Sequence, residues 1–181
     1  KGESVAIFGC GGLGSQAIKF CKLFGAGEII AVDTNEAALS RAELLGATHT
    51  IKVSDTPANK EIRQLTGNVG VDVAFEFVGI SQTVDTAVRS LRRGGRAVIV
   101  GGGVERITLP AIRTFVGNEY EVLGSMGLDV ADLKDVVSLV EQGKLNLDGS
   151  TRSVPYDGIN DALRRLEHGE ADEGRYVLTH D

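Results

Sequence analysis

The sequence predicts an α/β fold with a doubly wound, parallel six-stranded sheet, followed by a short strand–helix–strand tail. Short apolar runs that are rich in β-branched residues are typical of strands buried on both faces of a sheet. Between these runs lie segments whose apolar residues recur at helical spacing. Because strands and helices alternate, we expect parallel strands joined by right-handed crossovers.

The predicted elements follow one another in a regular order. The strands of the sheet are predicted at 5–8, 28–33, 48–53, 71–78, 96–100 and 120–124. The helices are predicted at 12–23, 36–45, 57–65, 81–91 and 130–141. The tail is predicted to have a strand at 150–156, a helix at 159–168 and a strand at 174–179. In this order, the ligand crevice lies at the carboxyl ends of the first and fourth strands.

Residues with special backbone preferences set several of these boundaries. Asn35 is a favourable N-cap for the second helix, and Gly46 is suited to ending that helix. Pro57 is suited to the first turn of the third helix, where its missing N–H would have no partner. Gly94 and Gly95 are expected to stop the fourth helix before the fifth strand begins.

A glycine-rich turn joins the first strand to the first helix. Gly9, Gly11 and Gly14 form the pattern G-x-G-x-x-G in the strand-to-helix context that is typical of dinucleotide binding. Gly9 permits the tight turn, Gly11 lets the backbone approach a pyrophosphate, and Gly14 lets the helix pack on the strand. The free N–H groups and the dipole of the helix start favour a phosphate there. The motif therefore predicts a Rossmann-type site.

Asp33 supplies the second part of the predicted site. It ends the second strand 19 residues after Gly14, where a dinucleotide fold holds the adenosine ribose hydroxyls. A 2′-phosphate about 4 Å from this carboxylate would be repelled by roughly 4 kcal/mol at an effective dielectric near 20. Half of that energy is a preference of about thirtyfold. Since the next arginine is Arg41, we predict NAD as the cofactor; the alternative is an ordinary strand–turn–helix with an N-capping aspartate.

Composition and charge exclude several classes of function. The net charge of −6 argues against nucleic acid or an anionic membrane as the main partner. No apolar run is long enough to span a bilayer or has the form of a signal peptide. Cys10 and Cys21 are interpreted as free thiols of a reducing cytoplasm. The chain begins at Lys1 without a methionine, which suggests a segment of a longer polypeptide.

Several polar residues near these motifs have competing interpretations. Cys10 is interpreted as a small buried side chain of the glycine turn rather than a reactive thiol. Glu76 is interpreted as a strand-end carboxylate that bonds to nearby backbone, rather than a catalytic acid. Arg92, Arg93 and Arg96 are expected to form a solvated helix end that the helix dipole favours.

Over nearly its whole length the chain resembles the C-terminal part of the zinc-dependent alcohol dehydrogenases of the medium-chain dehydrogenase/reductase family. The stretches that carry the resemblance are 2–5, 9–14, 31–33, 71–79, 94–101, 123–125, 159–163 and 174–178. Members of this family move hydride between an alcohol carbon and nicotinamide, with zinc polarising the oxygen.

The resemblance implies a set of residues that bind NAD(H). The set comprises Gly9, Gly11, Gly12, Leu13 and Gly14 at the pyrophosphate, Asp33 at the ribose with Thr34 beside it, Phe77, Val78 and Ile80 along the adenine and ribose, Val100, Gly101 and Gly102 at the nicotinamide carboxamide, and Arg175 at the pyrophosphate. The resemblance implies no catalytic residue on this chain.

The resemblance also implies a domain organisation. Residues 1–145 are expected to form the dinucleotide-binding domain, and residues 146–181 the return segment of a catalytic domain whose N-terminal half is absent. In the family that half carries the Cys and His ligands of the catalytic zinc. We therefore expect this chain to hold no metal, to bind cofactor without catalysis, and to meet a small alcohol or ketone through the absent half. A homodimer or tetramer is expected through the edge at 120–125.

Three other functions remain open on the sequence. One is an NADPH-dependent, zinc-free quinone reductase relative, which Asp33 disfavours. Another is a non-catalytic module that senses NAD(H). The third is an S-adenosylmethionine methyltransferase, which the six-strand pattern and the glycine spacing disfavour.

Overall fold

The computed structural model describes residues 1–147, 151–168 and 175–180. The chain divides into two compact units, one from Lys1 to Asp129 and the other beginning at Val130. In the part of the chain described, no helix combines the length and the apolar character that a membrane span requires.

The first unit contains a parallel sheet with helices on both faces. Its strands are β1 Ser4–Phe8, β2 Glu28–Asp33, β3 His49–Lys52, β4 Val71–Glu76, β5 Leu91–Ile99 and β6 Glu121–Gly124. Its helices are α1 Gly12–Leu23, α2 Glu36–Leu45, α3 Ala58–Leu65, α4 Ser81–Ser90 and α5 Ile112–Gly117. The strand order is β3-β2-β1-β4-β5-β6 and every neighbouring pair is parallel. The predicted doubly wound fold is confirmed.

The second unit contains the predicted tail. This unit begins with α6 Val130–Glu141. The tail follows, with β7 Thr151–Pro155, a 3₁₀ turn at Tyr156–Gly158, α7 Ile159–Glu167 and β8 Arg175–Thr179. Strands β7 and β8 pair in parallel. The strand–helix–strand pattern is confirmed, while its outermost predicted strand residues, 150 and 174, lie outside the described residues.

The buried residues explain why the strands read as unbroken apolar runs. In β1, Ala6 and Phe8 belong to the core cluster that α3 and α4 cover. Val5 and Ile7 belong to the cluster beneath α1 and α2. Successive side chains of a strand point to opposite faces, so a strand between two helical layers must be apolar at every position. All four of these side chains are buried.

The main differences from the prediction are the boundary between α4 and β5 and one additional helix, α5. Helix α4 ends at Ser90, and β5 begins at once at Leu91, so the glycines at 94–95 lie inside the strand rather than at a helix end. They lie where the register of β4 against β5 shifts between Val71 and Val73. The short helix α5 was not predicted, because six residues are too few to show a helical period.

The expectation of a solvated arginine cluster at a helix end is wrong. The three arginines lie in β5, and each pairs with an acid: Arg92 with Asp72, Arg93 with Glu119, and Arg96 with Glu3. These acids come from distant parts of the chain, so sequence spacing did not indicate the pairs.

Asp72 is expected to stabilise the fold in a pH-dependent way. Burial alone would raise its pKa, but hydrogen bonds from the backbone N–H of Ser4 and from the Arg92 guanidinium outweigh burial and lower the pKa. A carboxyl whose pKa is lower in the folded state stabilises the fold above its unfolded pKa, and that stabilisation is lost as the pH falls through the folded pKa. At neutral pH we expect Asp72→Asn to lower the free energy of unfolding by about 2 kcal/mol.

Urea unfolding of both chains between pH 7 and pH 2 tests this expectation. The difference between the two free energies of unfolding should shrink as the pH falls below the ordinary pKa of an aspartate. It should vanish at the acid end of the pH range. Glu119→Gln is the control, because it breaks a fully exposed ion pair and should change the midpoint little. A difference that stays constant across the range would contradict the role of the ionised carboxylate.

Candidate dinucleotide-binding site

The glycine turn between β1 and α1 is closely packed. Gly9 has φ +87°, and its N–H donates to the Val32 carbonyl at 2.9 Å. A Cβ on Gly14 would lie 1.8 Å from the Gly9 oxygen, so the first turn of α1 rests directly on the backbone of the turn. Only glycine fits at position 14 without moving that backbone.

Gly11 has the opposite environment. It is the N-cap residue of α1, with φ −71°, and a Cβ there would meet nothing within 4 Å. No side chain caps this helix start, and its first turn contains no acidic residue. The first N–H groups of a helix have no partner within the helix, so an anion in the open space beside Gly11 would meet backbone donors and a positive dipole.

Asp33 ties the end of β2 to the glycine turn. Its Oδ2 accepts the N–H of Cys10 at 2.6 Å, and its Oδ1 accepts the N–H of Asn35 at 2.9 Å. The side chain of Cys10 is fully buried, and burial raises the pKa of its thiol to about 12. The thiol therefore stays protonated at neutral pH, and the interpretation of Cys10 as a small buried side chain is confirmed.

A cavity of about 290 Å³ opens beside Asp33 at the carboxyl edge of the sheet. Among the residues predicted for the site, it is lined by Gly9, Asp33, Thr34, Val78 and Ile80. Its walls are mainly apolar, and Asp33 supplies a carboxylate to one of them. Such a cavity, beside a helix N-terminus at the switch point of the sheet, has the chemistry expected for a nucleoside and its phosphates.

Most of the chain matches one known protein family. A family model described as zinc-binding dehydrogenase matches residues 12–142. The chain belongs to the zinc-binding dehydrogenase family.

Relatives of this family cover the chain at moderate identity. The sorbitol dehydrogenase of Bacillus subtilis (strain 168) is 42% identical over 123 residues, 68% of this chain and 35% of the relative. The alcohol dehydrogenase class-2 isozyme 2 of Oryctolagus cuniculus is 33% identical over 176 residues, 94% of this chain and 46% of the relative. The structure of the alcohol dehydrogenase from the hyperthermophilic archaeon Aeropyrum pernix matches with a TM-score of 0.89 and 39% identity, over 99% of this chain and 50% of that chain.

This chain therefore spans half the length of these dehydrogenases or less. The predicted resemblance to the zinc-dependent alcohol dehydrogenases is confirmed, and with it the membership of an oxidoreductase family. Among the described residues of this chain, no three His, Cys, Asp or Glu side chains come together as a metal site would require.

Three further residues predicted for the site lie in different surroundings. Phe77 packs with the core cluster beneath α1 and α2, where its ring lies 6.2 Å from that of Phe75, and it does not line the cavity. Leu13 is half exposed in the first turn of α1. Arg175 is the first residue of β8, in the second unit, and its role at the pyrophosphate stays a prediction.

Several residues of the cavity were missed by the sequence reasoning. They are Val53, Ser54, Asp55 and Pro57 after β3, and Gln82, Thr83 and Thr86 on α4. The available signal was topological, because β3 lies next to β2 and its carboxyl end must reach the edge that holds Asp33.

Arg41 was also missed. It lies on α2, and its Nη2 donates to the Cys10 carbonyl at 3.2 Å, an oxygen that also accepts the Ser15 hydroxyl at 2.9 Å. From its distance along the sequence, Arg41 was not expected to meet a 2′-phosphate beside Asp33. Helix α2 contacts α1 and brings the guanidinium to the glycine turn, although Arg41 is not among the residues that line the cavity.

Glu76 is bonded to nearby backbone, as predicted. Its side chain is fully buried at the end of β4, and its Oε1 accepts N–H groups from Val78 at 2.8 Å and Gly79 at 2.9 Å, together with the Thr83 hydroxyl at 2.7 Å. This carboxylate shapes the chain that leads from β4 to the cavity.

Proposed function

We propose that this chain is the NAD(H)-binding domain of an oxidoreductase that transfers hydride between an alcohol and nicotinamide. Family membership supports the reaction class, since the relatives are alcohol and sorbitol dehydrogenases by name. The observation that carries the cofactor assignment is Asp33, a carboxylate on the cavity wall that Cys10 and Asn35 hold in place. Bound nicotinamide would supply the hydride chemistry, and the protein would bind and orient it.

The choice of NAD over NADP is part of this proposal. Asp33 lines the cavity, so a 2′-phosphate beside it would be repelled by its carboxylate. The ribose hydroxyls of NAD would instead donate hydrogen bonds to a carboxylate. We also propose that the zinc of the family is bound by a part of the dehydrogenase that this chain does not match. On this proposal, the chain alone binds cofactor without catalysis.

Separate titrations with NADH and NADPH, followed by cofactor fluorescence, test the proposal. The chain contains no tryptophan, so the background is low. NADH should bind at least about tenfold more tightly than NADPH. Tighter binding of NADPH would instead favour the zinc-free quinone reductase relative. Binding of neither cofactor would contradict the proposal, and S-adenosylmethionine would be tested next.

A homodimer or tetramer is proposed through β6. This strand is at the edge of the sheet, and Leu123 is about half exposed there. Tyr120 belongs to the core instead, because its hydroxyl donates to the Leu91 carbonyl and its ring packs edge-on against Phe115. An unpaired edge strand is suited to pairing with a copy of itself. The mass of the protein in solution, measured by light scattering, tests this assembly.

A cytoplasmic location is proposed on the two cysteines, which the structure shows as free thiols.

A further inference from the structure

We propose that Glu76 is a positioning residue that couples the two ends of the dinucleotide site, the adenosine end and the nicotinamide end. The inference rests on the proposed function. It concerns a residue that does not line the cavity and whose side chain is fully buried.

The side chain of Glu76 fixes the adenosine end. Its Oε1 gathers the N–H groups of Val78 and Gly79 and the hydroxyl of Thr83, all within 2.9 Å. Val78 and Thr83 line the cavity beside Asp33. One oxygen therefore holds both the loop that leaves β4 and the first turn of α4.

The backbone of the same residue fixes the opposite end. The Glu76 carbonyl accepts the N–H groups of Val100 at 2.8 Å and Gly101 at 2.9 Å, where the chain leaves β5. Val100 and Gly101 are the residues predicted to meet the nicotinamide. The side chain and the carbonyl of one residue thus bind two loops that are separated in sequence by α4 and β5.

The two loops are also in direct backbone contact. A Cβ on Gly101 would lie 2.3 Å from the Gly79 nitrogen, and a Cβ on Gly103 would lie 2.0 Å from the Gly79 oxygen. No side chain separates these segments, so a shift of Gly79 must move the backbone of 101–103. Since Gly79 is held by the Glu76 carboxylate, a change in that side chain reaches the nicotinamide end.

The phosphate turn is in contact with the same unit. A Cβ on Gly9 would lie 2.9 Å from a methyl carbon of Val78, and the Phe77 N–H donates to the Phe8 carbonyl at 2.9 Å. The loops that follow β1, β4 and β5 therefore meet around Glu76, and its carboxylate sets the spacing between them.

Two substitutions at position 76 separate the effect of the hydrogen-bonding oxygen from the effect of side-chain volume. Glu76→Gln keeps an oxygen that can accept the three hydrogen bonds. Glu76→Met keeps a similar length without an oxygen. Val84→Ala is the matched control. Val84 is buried on α4 and does not line the cavity, and truncating its side chain should lower the stability of the fold.

The first measurement needs no ligand. Amide hydrogen exchange, followed by NMR, should speed up at Val100 and Gly101 by about tenfold or more in Glu76→Met, relative to amides in the centre of β1. Glu76→Gln should stay within about threefold of the parent, and Val84→Ala should show no selective change. Faster exchange at Val78 and Gly79 alone would show that the side chain acts only on its own loop and would overturn the coupling.

The second measurement compares NADH with ADP-ribose, which lacks the nicotinamide. The parent should bind NADH more tightly, and Glu76→Met should reduce that advantage by about tenfold, with rescue by glutamine. An equal loss of affinity for both ligands, or no advantage of NADH in the parent, would overturn the inference. If the parent bound neither ligand, the proposed function would fail, while the exchange experiment would still decide the coupling.

Discussion

Gly14→Ala is expected to abolish measurable NADH binding and to destabilise the protein. The new methyl group would lie 1.8 Å from the Gly9 carbonyl oxygen, a distance that only movement of the backbone can relieve. Overpacking of this kind costs about 1–3 kcal/mol, and contact with backbone places it at the upper end. The movement also opens the turn that would face the pyrophosphate, so affinity and the free energy of unfolding should fall together.

Two other glycines make this prediction specific. Gly11→Ala adds a methyl group to open space, so it should cost the free protein at most about 1 kcal/mol, the price of a poorer N-cap. The methyl group would occupy the place where a pyrophosphate approaches, and NADH affinity should fall by roughly tenfold to a hundredfold. Gly117→Ala also meets open space, but at the end of α5, and should change neither quantity.

Urea unfolding and NADH titration of the three variants provide the test. The expected pattern is loss of both properties at position 14, loss of affinity alone at position 11, and no change at position 117. Undiminished NADH binding by Gly11→Ala would show that the helix start does not hold the phosphates.

Asp33→Asn is expected to remove the preference for NADH over NADPH. The substitution keeps the size of the side chain and removes the charge that repels a 2′-phosphate, so the affinity ratio should fall by about thirtyfold. NADH affinity itself should fall by roughly fivefold, because a neutral acceptor binds a hydroxyl more weakly than a carboxylate does. The ratio of the two dissociation constants, measured at fixed ionic strength, is the quantity to compare.

Asp55 and Arg41 supply the matched controls. Asp55→Asn removes a carboxylate from the same cavity, and a change in the ratio of less than about threefold would show that Asp33 acts by contact rather than through a general field. Arg41→Gln, introduced into the Asp33→Asn chain, should lower NADPH affinity more than NADH affinity, because the guanidinium is the cation bound to the Cys10 carbonyl. An unchanged ratio in Asp33→Asn would contradict the assignment of the ribose to this residue.

The sequence was sufficient to predict the parts of the fold that depend on local signals. Helices α1, α2 and α6 have the predicted bounds, because each shows a full helical period and glycine or asparagine marks some of the ends. The doubly wound parallel arrangement followed from the alternation of strands and helices and from the right-handed crossovers. The close packing at Gly9 and Gly14, and the place of Asp33 at the end of β2, could be predicted because they depend on spacing along the chain.

Features that depend on distant contacts were not predictable in the same way. Arg41 reaches the glycine turn because α2 lies beside α1, and the acids that pair with the β5 arginines come from other strands or loops. The cavity wall after β3 required knowledge of which strand ends are neighbours. The hydrogen bonds around Glu76 were predicted only in part. Its carboxylate was expected to bond to nearby backbone, but the bonds from its carbonyl to the loop after β5 were not expected.

The position of β1 has a consequence for how the chain acquires its structure. As the first strand it lies in the middle of the sheet, paired with β2 on one side and with β4 on the other, where Val5 faces Val73. During synthesis, β1, β2 and β3 can assemble early, but one edge of β1 stays open until the residues of β4 have emerged. An apolar, unpaired edge is prone to wrong pairing between chains. The long-range docking of β4 therefore covers this edge of β1 and ends its exposure to wrong pairing.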